Sequence, residues 1–273
     1  MTYFGFLLRF LVIPILLLSI AVLVLHRRGK RLPESLRGLP FVVALLGHIV
    51  VALVYTTPWD NYLVATGVWY YNPALVTGIT IGWVPIEEYT FFLLQPILTG
   101  LWLYLLAVTL ELGPPGNHAR PRLRLWSVII VGAIWLASVI VFFSDWTSAT
   151  YLSIILAWGL FPVLIQLAMG ADILWRYRKL VLWALVPATL YLAFADSLAI
   201  GDGTWTIDPA QSFHILIGGV LPIEEFLFFL MTNVLLVFGM TLVLARESHE
   251  RLHNEILPWI AARRAQSGVD AKS

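Results

Sequence analysis

Long apolar runs dominate the chain, and short polar segments separate them. A helix needs about 17–25 mostly apolar residues to cross ~30 Å of hydrocarbon. Seven runs meet this requirement, at about residues 4–25, 39–57, 85–110, 125–143, 149–170, 179–195 and 222–245. The pattern therefore predicts an all-α integral membrane protein with about seven transmembrane helices.

The positions of the basic residues test this number of helices and give the chain an orientation. With seven spans, every Lys and Arg except Arg9 falls on one side of the membrane. The loops near 58–74, 144–148 and 196–210 contain no Lys or Arg. Because short basic loops stay in the cytoplasm, we expect a multi-pass protein of the cell membrane. Its N-terminus is expected outside and its C-terminus in the cytoplasm.

The composition agrees with a membrane environment. Hydrophobic residues make up 60% of the chain and charged residues 12%, about half the charge of a soluble domain. We therefore expect the lipid bilayer as a partner, and no nucleic acid. There are no cysteines, which excludes disulfides, thiolate metal sites and a cysteine nucleophile. The first apolar run is longer than a signal-peptide core and lacks a basic leader, so we expect it to remain as a helix.

Two segments of the chain resemble each other closely enough to indicate an internal duplication. The matched residues are Asp60 and Asp196, Trp69 and Trp205, Pro73 and Pro209, and the Pro-Ile-Glu-Glu sequences that begin at Pro85 and Pro222. Each copy holds three predicted helices, and one linker helix between them gives both copies the same orientation. We predict a first repeat at 1–111, a linker at 112–148, a second repeat at 149–246 and a cytoplasmic tail at 247–273.

A glycine-containing stretch precedes each Pro-Ile-Glu-Glu sequence, at 74–84 and 210–221. Joined to the helix that follows, either stretch would form one helix of about 35 residues, or ~50 Å at 1.5 Å per residue. That is too long for a single crossing. We therefore expect a half-buried or re-entrant segment that breaks at Pro85 and Pro222, with proline at the first helical position.

The paired glutamates are the main candidates for chemistry: Glu87, Glu88, Glu224 and Glu225. One alternative is an ordinary helix start, in which the carboxylates interact with the helix dipole. The recurrence in both copies, the apolar surroundings and the lack of Lys or Arg on that side favour a functional site. Successive helical residues point about 100° apart, so one glutamate of each pair is expected to face the site while the other caps or supports it. Facing carboxyl groups from two repeats, one protonated and one ionised, could act as acid and base.

Two aspartates and several aromatic residues lie near the same side of the membrane. Asp60 and Asp196 are either further site residues or helix-end aspartates in contact with water. The aromatic residues either form an interfacial belt or contact the substrate and stabilise a carbocation through their ring faces. The predicted substrate-binding residues are Trp59, Trp69, Trp83, Tyr89, Trp205 and Phe226.

Several other chemistries lack their residues in this chain. There is no Gly-x-Gly-x-x-Gly sequence after a strand, as a dinucleotide or flavin fold would need, and no aspartate-rich motif for diphosphate and magnesium. The only lysines are Lys30, Lys179 and Lys272, and none lies mid-membrane where a retinal Schiff base would form. We therefore expect no cofactor and no metal.

The twin Pro-x-Glu-Glu sequences, each on a membrane repeat and preceded by an aspartate-bearing loop, resemble the membrane-embedded lycopene cyclases. That family includes heterodimeric bacterial subunits, fused archaeal or bacterial chains and a domain of bifunctional fungal enzymes. The resemblance covers roughly residues 3–245 and matches the fused form. The family motif falls on Pro85, Glu87, Glu88, Pro222, Glu224 and Glu225.

The resemblance implies a lycopene β-cyclase that acts without the flavin fold of the other cyclase class. Its substrate would be lycopene or a related linear carotene, and it would associate with other enzymes of the carotenoid pathway. The family also contains cyclases for longer carotenoids and for other ring types. Two alternatives stay open from the residues themselves: a small transporter or proton-coupled channel that uses the same acids, and a noncatalytic scaffold protein.

Overall fold

A computed structural model of the protein describes residues 1–112, 119–256 and 258. Within these residues, seven helices are long and apolar enough to cross a membrane, as the sequence predicted. They are α1 (Tyr3–Arg27), α2 (Phe41–Ala65), α3 (Ile86–Thr109), α4 (Pro121–Phe142), α5 (Thr150–Arg176), α6 (Arg178–Gly201) and α7 (Ile223–Leu244). A short helix, α8 (Arg246–Arg251), follows α7. Parts of the predicted linker and tail, at 113–118 and 259–273, lie outside the described residues.

The third helix of each half is central to the packing. Helices α1 and α2 pack on α3, whereas α5 and α6 pack on α7. Helices α3 and α7 also contact each other and are the most buried of the seven. Helix α4 packs mainly on α5 and otherwise presents an apolar surface. The two halves therefore meet along α3 and α7, while the division into two repeats stays a prediction.

Two helices continue further than the hydrophobic pattern indicated. Helix α2 ends at Ala65 and includes Pro58, and helix α6 ends at Gly201. Neighbouring helices allow a transmembrane helix to continue past proline, so Pro58 does not end α2. As a result, Asp60 and Asp196 lie within helices, although the predicted apolar runs ended before them.

A short strand pair connects the two halves above the helices. Strand β1 (Trp69–Tyr71) pairs antiparallel with β4 (Trp205–Ile207), so that Trp69 lies opposite Ile207 and Tyr71 opposite Trp205. Alternate residues of a strand point to opposite faces. Trp69, Trp205 and Ile207 are buried, whereas Tyr70 is exposed. This strand pair therefore covers the helix ends of both halves with aromatic side chains.

The two glycine-containing stretches form hairpins. Strands β2 (Thr80–Ile81) and β3 (Val84–Pro85) precede α3, and strands β5 (Leu216–Ile217) and β6 (Leu221–Pro222) precede α7. The chain does break at both prolines. However, each proline ends a strand, with an extended ψ of 151° at Pro85. Each helix therefore begins one residue after its proline, later than the sequence indicated. The glutamates consequently occupy the second and third helical positions.

The buried side chains form two clusters at opposite ends of the helices. One cluster lies beneath the paired strands and is rich in aromatic residues, including Tyr3, Trp59 and Phe228. The other lies around Leu106 and Leu244 and is mainly aliphatic. Asp196 and the glutamate pairs belong to the aromatic end, which places the candidate site there.

Candidate active site

A small cavity lies inside the aromatic cluster, between the two halves of the protein. Its volume is about 30 Å³, which is room for roughly two water molecules. The residues that line it come from α1, α2, α3, α6, α7 and both paired strands. They are Tyr3, Phe6, Trp59, Asp60, Trp69, Tyr71, Glu88, Phe91, Phe92, Asp196, Trp205, Ile207, Glu225, Phe228 and Phe229.

Glu88 and Glu225 are the glutamates that line this cavity. Glu88 accepts hydrogen bonds from the hydroxyl groups of Tyr3, at 2.6 Å, and Tyr71, at 2.9 Å. Glu225 accepts one from the hydroxyl group of Tyr151, at 2.6 Å. The two carboxyl groups thus reach one cavity from different halves, and they differ in the number of hydroxyl donors.

The other glutamate of each pair supports the loop before its helix. Glu87 accepts a hydrogen bond from the backbone N–H of Thr77, and Glu224 accepts one from the backbone N–H of Phe213, both at 2.7 Å. Both glutamates are fully buried. Successive helical residues point about 100° apart. One glutamate of each pair therefore faces the cavity, while the other supports the preceding loop.

Asp60 and Asp196 also line the cavity, and each is only 1% exposed. The alternative of helix-end aspartates in contact with water is therefore wrong. The indole N–H of Trp205 donates to Asp196 at 2.9 Å. Neither carboxyl oxygen of Asp60 has a hydrogen-bond partner among the described residues.

The cavity gathers four carboxyl groups without a positive side chain. None of the described residues that line it is Lys or Arg. Four negative charges in an apolar enclosure would repel one another strongly, and burial penalises each of them further. In such a cluster a carboxyl group that holds a proton can give it and a neighbour without one can take it, which is the property that acid–base chemistry requires.

Three of the six predicted substrate-binding aromatics line the cavity: Trp59, Trp69 and Trp205. The other three lie outside it. Trp83 is at the turn of the β2–β3 hairpin and is 67% exposed. Tyr89 instead donates to the backbone carbonyl of Ile81. Phe226 directly follows Glu225 on the helix, and its side chain therefore points away from the cavity.

Tyr3 and Tyr151, at the starts of α1 and α5, bind the two cavity glutamates and are not among the predicted site residues. Their positions at the start of the first helix of each half were the available signal.

Tyr71, the third tyrosine that donates to a cavity glutamate, lies in strand β1 and so outside the membrane helices. Burial and the nearby Glu88 raise the pKa of Tyr71 well above its usual range, so its phenol stays protonated and can donate.

Comparison with known proteins identifies relatives of the chain. Its sequence matches the profile of the lycopene cyclase family over residues 2–106 and 148–244. It is 39% identical over 201 residues to a lycopene beta-cyclase of Halobacterium salinarum, covering 72% of this chain and 82% of that protein. It is 34% identical to a bifunctional lycopene cyclase/phytoene synthase of Podospora anserina, covering 70% of this chain and 33% of that protein. A similar protein of Phycomyces blakesleeanus is also 34% identical over about a third of its length.

No solved structure matches this chain. The family profile, in contrast, covers most of both halves, including the two helices that carry the cavity glutamates. The relative from Halobacterium salinarum is matched over most of its own length. The chain belongs to the lycopene cyclase family.

Proposed function

We propose that this protein is a lycopene β-cyclase, which closes rings at the acyclic ends of lycopene by acid–base catalysis without a cofactor. The observation that carries the proposal is the meeting of Glu88 and Glu225, from different halves, in one cavity with aromatic walls. The relative named lycopene beta-cyclase supports the choice of substrate and product.

The reaction is an isomerisation, so its atoms and electrons balance without an oxidant or reductant. An acid adds a proton to the terminal double bond of the acyclic end and leaves a tertiary carbocation. The neighbouring double bond attacks this cation, a carbon–carbon bond forms, and the positive charge moves into the new ring. A base then removes a proton from the ring and restores the double bond. The proton count of the carboxyl cluster is unchanged after one turnover.

Hydrogen bonding favours Glu88 as the base. A carboxylate that accepts hydrogen bonds is stabilised in its charged form, and Glu88 accepts two from tyrosine hydroxyls while Glu225 accepts one. Glu225, on the other half, then holds the proton that starts the reaction. Asp60 and Asp196 lie in the same cavity and serve as neighbours that share and replace this proton.

Aromatic ring faces support the cationic intermediate. The rings of Trp59 and Phe228 are parallel, with centroids 5.6 Å apart, and Trp69 lies across both. A cation held over such faces away from water gains about 2 kcal/mol from each good contact. The same rings exclude water, which would otherwise capture the carbocation.

The proposal is tested by replacing each cavity glutamate with its neutral isostere. Loss of a general acid or base costs about 10²–10⁴-fold in rate, so Glu88→Gln and Glu225→Gln should each nearly abolish ring formation. The measurement is conversion of lycopene by purified protein in liposomes, without flavin or nicotinamide. Glu34→Gln is the matched control, because Glu34 is exposed and pairs with Arg246 at the opposite end of the molecule.

Two results would contradict the proposal. Strict dependence of the unsubstituted protein on reduced flavin would exclude the cofactor-free mechanism. Near-normal ring formation by either Glu→Gln variant, with the protein inserted at normal yield, would mean that the two halves do not share one site.

We also propose an orientation in the membrane, with the N-terminus and the cavity towards the outside and the C-terminus in the cytoplasm. Helix α1 runs from Tyr3 at the cavity to Arg27 at the other end. Further basic residues, such as Arg178 and Arg246, lie at the helix ends remote from the cavity.

We propose as well that other enzymes of carotenoid synthesis associate with this protein. The bifunctional fungal relatives, whose names include phytoene synthase, support this proposal.

A further inference from the structure

A second and much larger cavity runs along the outside of the first. It is a groove of about 430 Å³ between α2, α3, α5 and α7. Its wall is mainly apolar and includes Val43, Gly47, Trp158, Pro162 and Leu235. No charged side chain lines it among the described residues.

The few polar side chains of the groove are bonded mainly to the protein. The imidazole of His48 contacts the backbone carbonyl of Ala44 at 2.7 Å, and the side-chain amide of Gln166 donates to the carbonyl of Leu235 at 2.8 Å. The groove therefore offers a ligand an apolar surface with little demand for hydrogen bonds, which suits a hydrocarbon.

The groove and the carboxyl cavity share part of their walls. Phe91, Phe92 and Phe228 line both. These three rings therefore lie between the two spaces. A molecule lying in the groove would thus have one end next to the carboxyl cavity without leaving the protein.

The distance from the far end of the groove to the carboxyl groups indicates what the groove holds. On α2, the groove lining begins at Val43, and Asp60 lines the carboxyl cavity. At 1.5 Å per residue these positions are about 25 Å apart, close to the ~30 Å thickness of the hydrocarbon core. A phospholipid chain reaches only half of that thickness, whereas a linear carotene can cross it.

We propose that this groove binds the polyene chain of a linear carotene whose end group enters the carboxyl cavity once the phenyl rings between the two spaces move aside and enlarge it. The inference rests on the proposed function and adds the position of the unreacted part of the substrate, along α2 and α7. The groove, and not the surrounding lipid, then holds the substrate in line with the acid and the base.

Gly47 offers a direct test, because it lines the groove and a Cβ atom added there meets nothing within 4 Å. Gly47→Phe therefore adds a ring to the groove wall at a position where the new Cβ has no neighbour to displace. Val51, one turn further along α2, also lines it, and Val51→Phe is a second variant. Leu46→Phe is the matched control, since Leu46 is about as exposed as Val51 on the same helix but does not line the groove.

The experiment measures bound substrate and not turnover. Each substitution is placed in the Glu88→Gln protein, which is purified from lycopene-producing cells, and lycopene per protein is read from its absorbance. We expect Gly47→Phe and Val51→Phe to retain about tenfold less lycopene than the parent, a change of one decade in affinity. Leu46→Phe should match the parent.

Equal lycopene in the groove-filled proteins and the parent would overturn the proposal. So would a parent that retains phospholipid and no lycopene, because a lipid chain would then be the occupant. Failure of the proposed function gives a different result: the unsubstituted protein would not cyclise lycopene, whereas the binding comparison would still be readable.

Discussion

Tyr71 and Ile207 occupy matching positions in the two halves, two residues after the duplicated Trp69 and Trp205. Both line the carboxyl cavity, but only Tyr71 carries a hydroxyl group, which it donates to Glu88. The tyrosines that open α1 and α5 preserve the resemblance between the halves, since each binds the glutamate of its own half. This difference therefore gives the two glutamates unequal surroundings, which the proposed acid and base roles require.

Tyr71→Phe should lower the rate of ring formation by about ten- to a hundredfold, because a hydrogen bond to a charged group is worth about 1.5–3 kcal/mol. The packing of the ring is preserved in this variant, so the yield of folded protein should not change. Lycopene conversion in liposomes gives the rate. Tyr70→Phe is the control, since Tyr70 is the exposed neighbour in the same strand. An unchanged rate for Tyr71→Phe would remove the argument that Glu88 is the base.

At this scale the sequence predicted which residues recur but not how they are oriented. The repeated Pro-Ile-Glu-Glu sequences made Glu88 and Glu225 visible as candidates. The choice between Glu88 and Glu87 depends on the hydrogen bond from Thr77, which joins residues of a loop and a helix. Tyr3 and Tyr151 were not predicted, because the match around them is short: both follow a threonine, Thr2 or Thr150, but most residues of the two apolar runs differ.

Among the structural elements, the β2–β3 hairpin sets the start of α3. Gly82 at its turn has a φ of +67°, and an added Cβ would lie 2.2 Å from the side-chain oxygen of Asn61. That oxygen accepts the backbone N–H of Trp83 at 2.8 Å. The turn thus needs glycine for two reasons, its backbone conformation and its contact with α2.

Gly82→Ala should therefore be more harmful than Gly78→Ala. Gly78 also has a positive φ, of +77°, but an added Cβ there meets nothing within 4 Å. A left-handed backbone costs an alanine about 1–2 kcal/mol, and this cost applies to both variants. Thermal unfolding in detergent should show a lower Tm for Gly82→Ala than for Gly78→Ala. Equal values would mean that Asn61 moves aside and does not fix the hairpin.

The elements that sequence could predict are the long ones. A run such as 222–245 is long and apolar enough to predict a transmembrane helix, and the structure has α7 at Ile223–Leu244. The strands could not be read from alternation, which becomes visible only over about four to eight residues. Strand β1 has three residues and β2 has two, and their pairing depends on contacts between distant parts of the chain.

For the whole molecule, the uneven distribution of basic residues determines the expected orientation. Reporter fusions after residues in 26–38, 112–124 and 246–273 should be active in the cytoplasm, because translocating several Lys or Arg side chains is unfavourable. Fusions in the loop near 144–148, which lacks Lys and Arg, should be active outside and serve as the comparison. A C-terminal reporter that is active only outside would contradict the orientation.

One cavity built from both halves also has a kinetic consequence. A linear carotene has two reactive ends, but in the proposed mechanism Glu88 and Glu225 together provide one reaction centre. Once the first end has closed, the second would lie far from the acid and the base, so the carotene would have to leave and re-enter in reverse. We therefore expect the two ends to be cyclised in separate binding events, with one-ring molecules passing through the membrane as a free pool. Competition between this pool and fresh lycopene for the same entrance would then set the balance of one-ring and two-ring pigments.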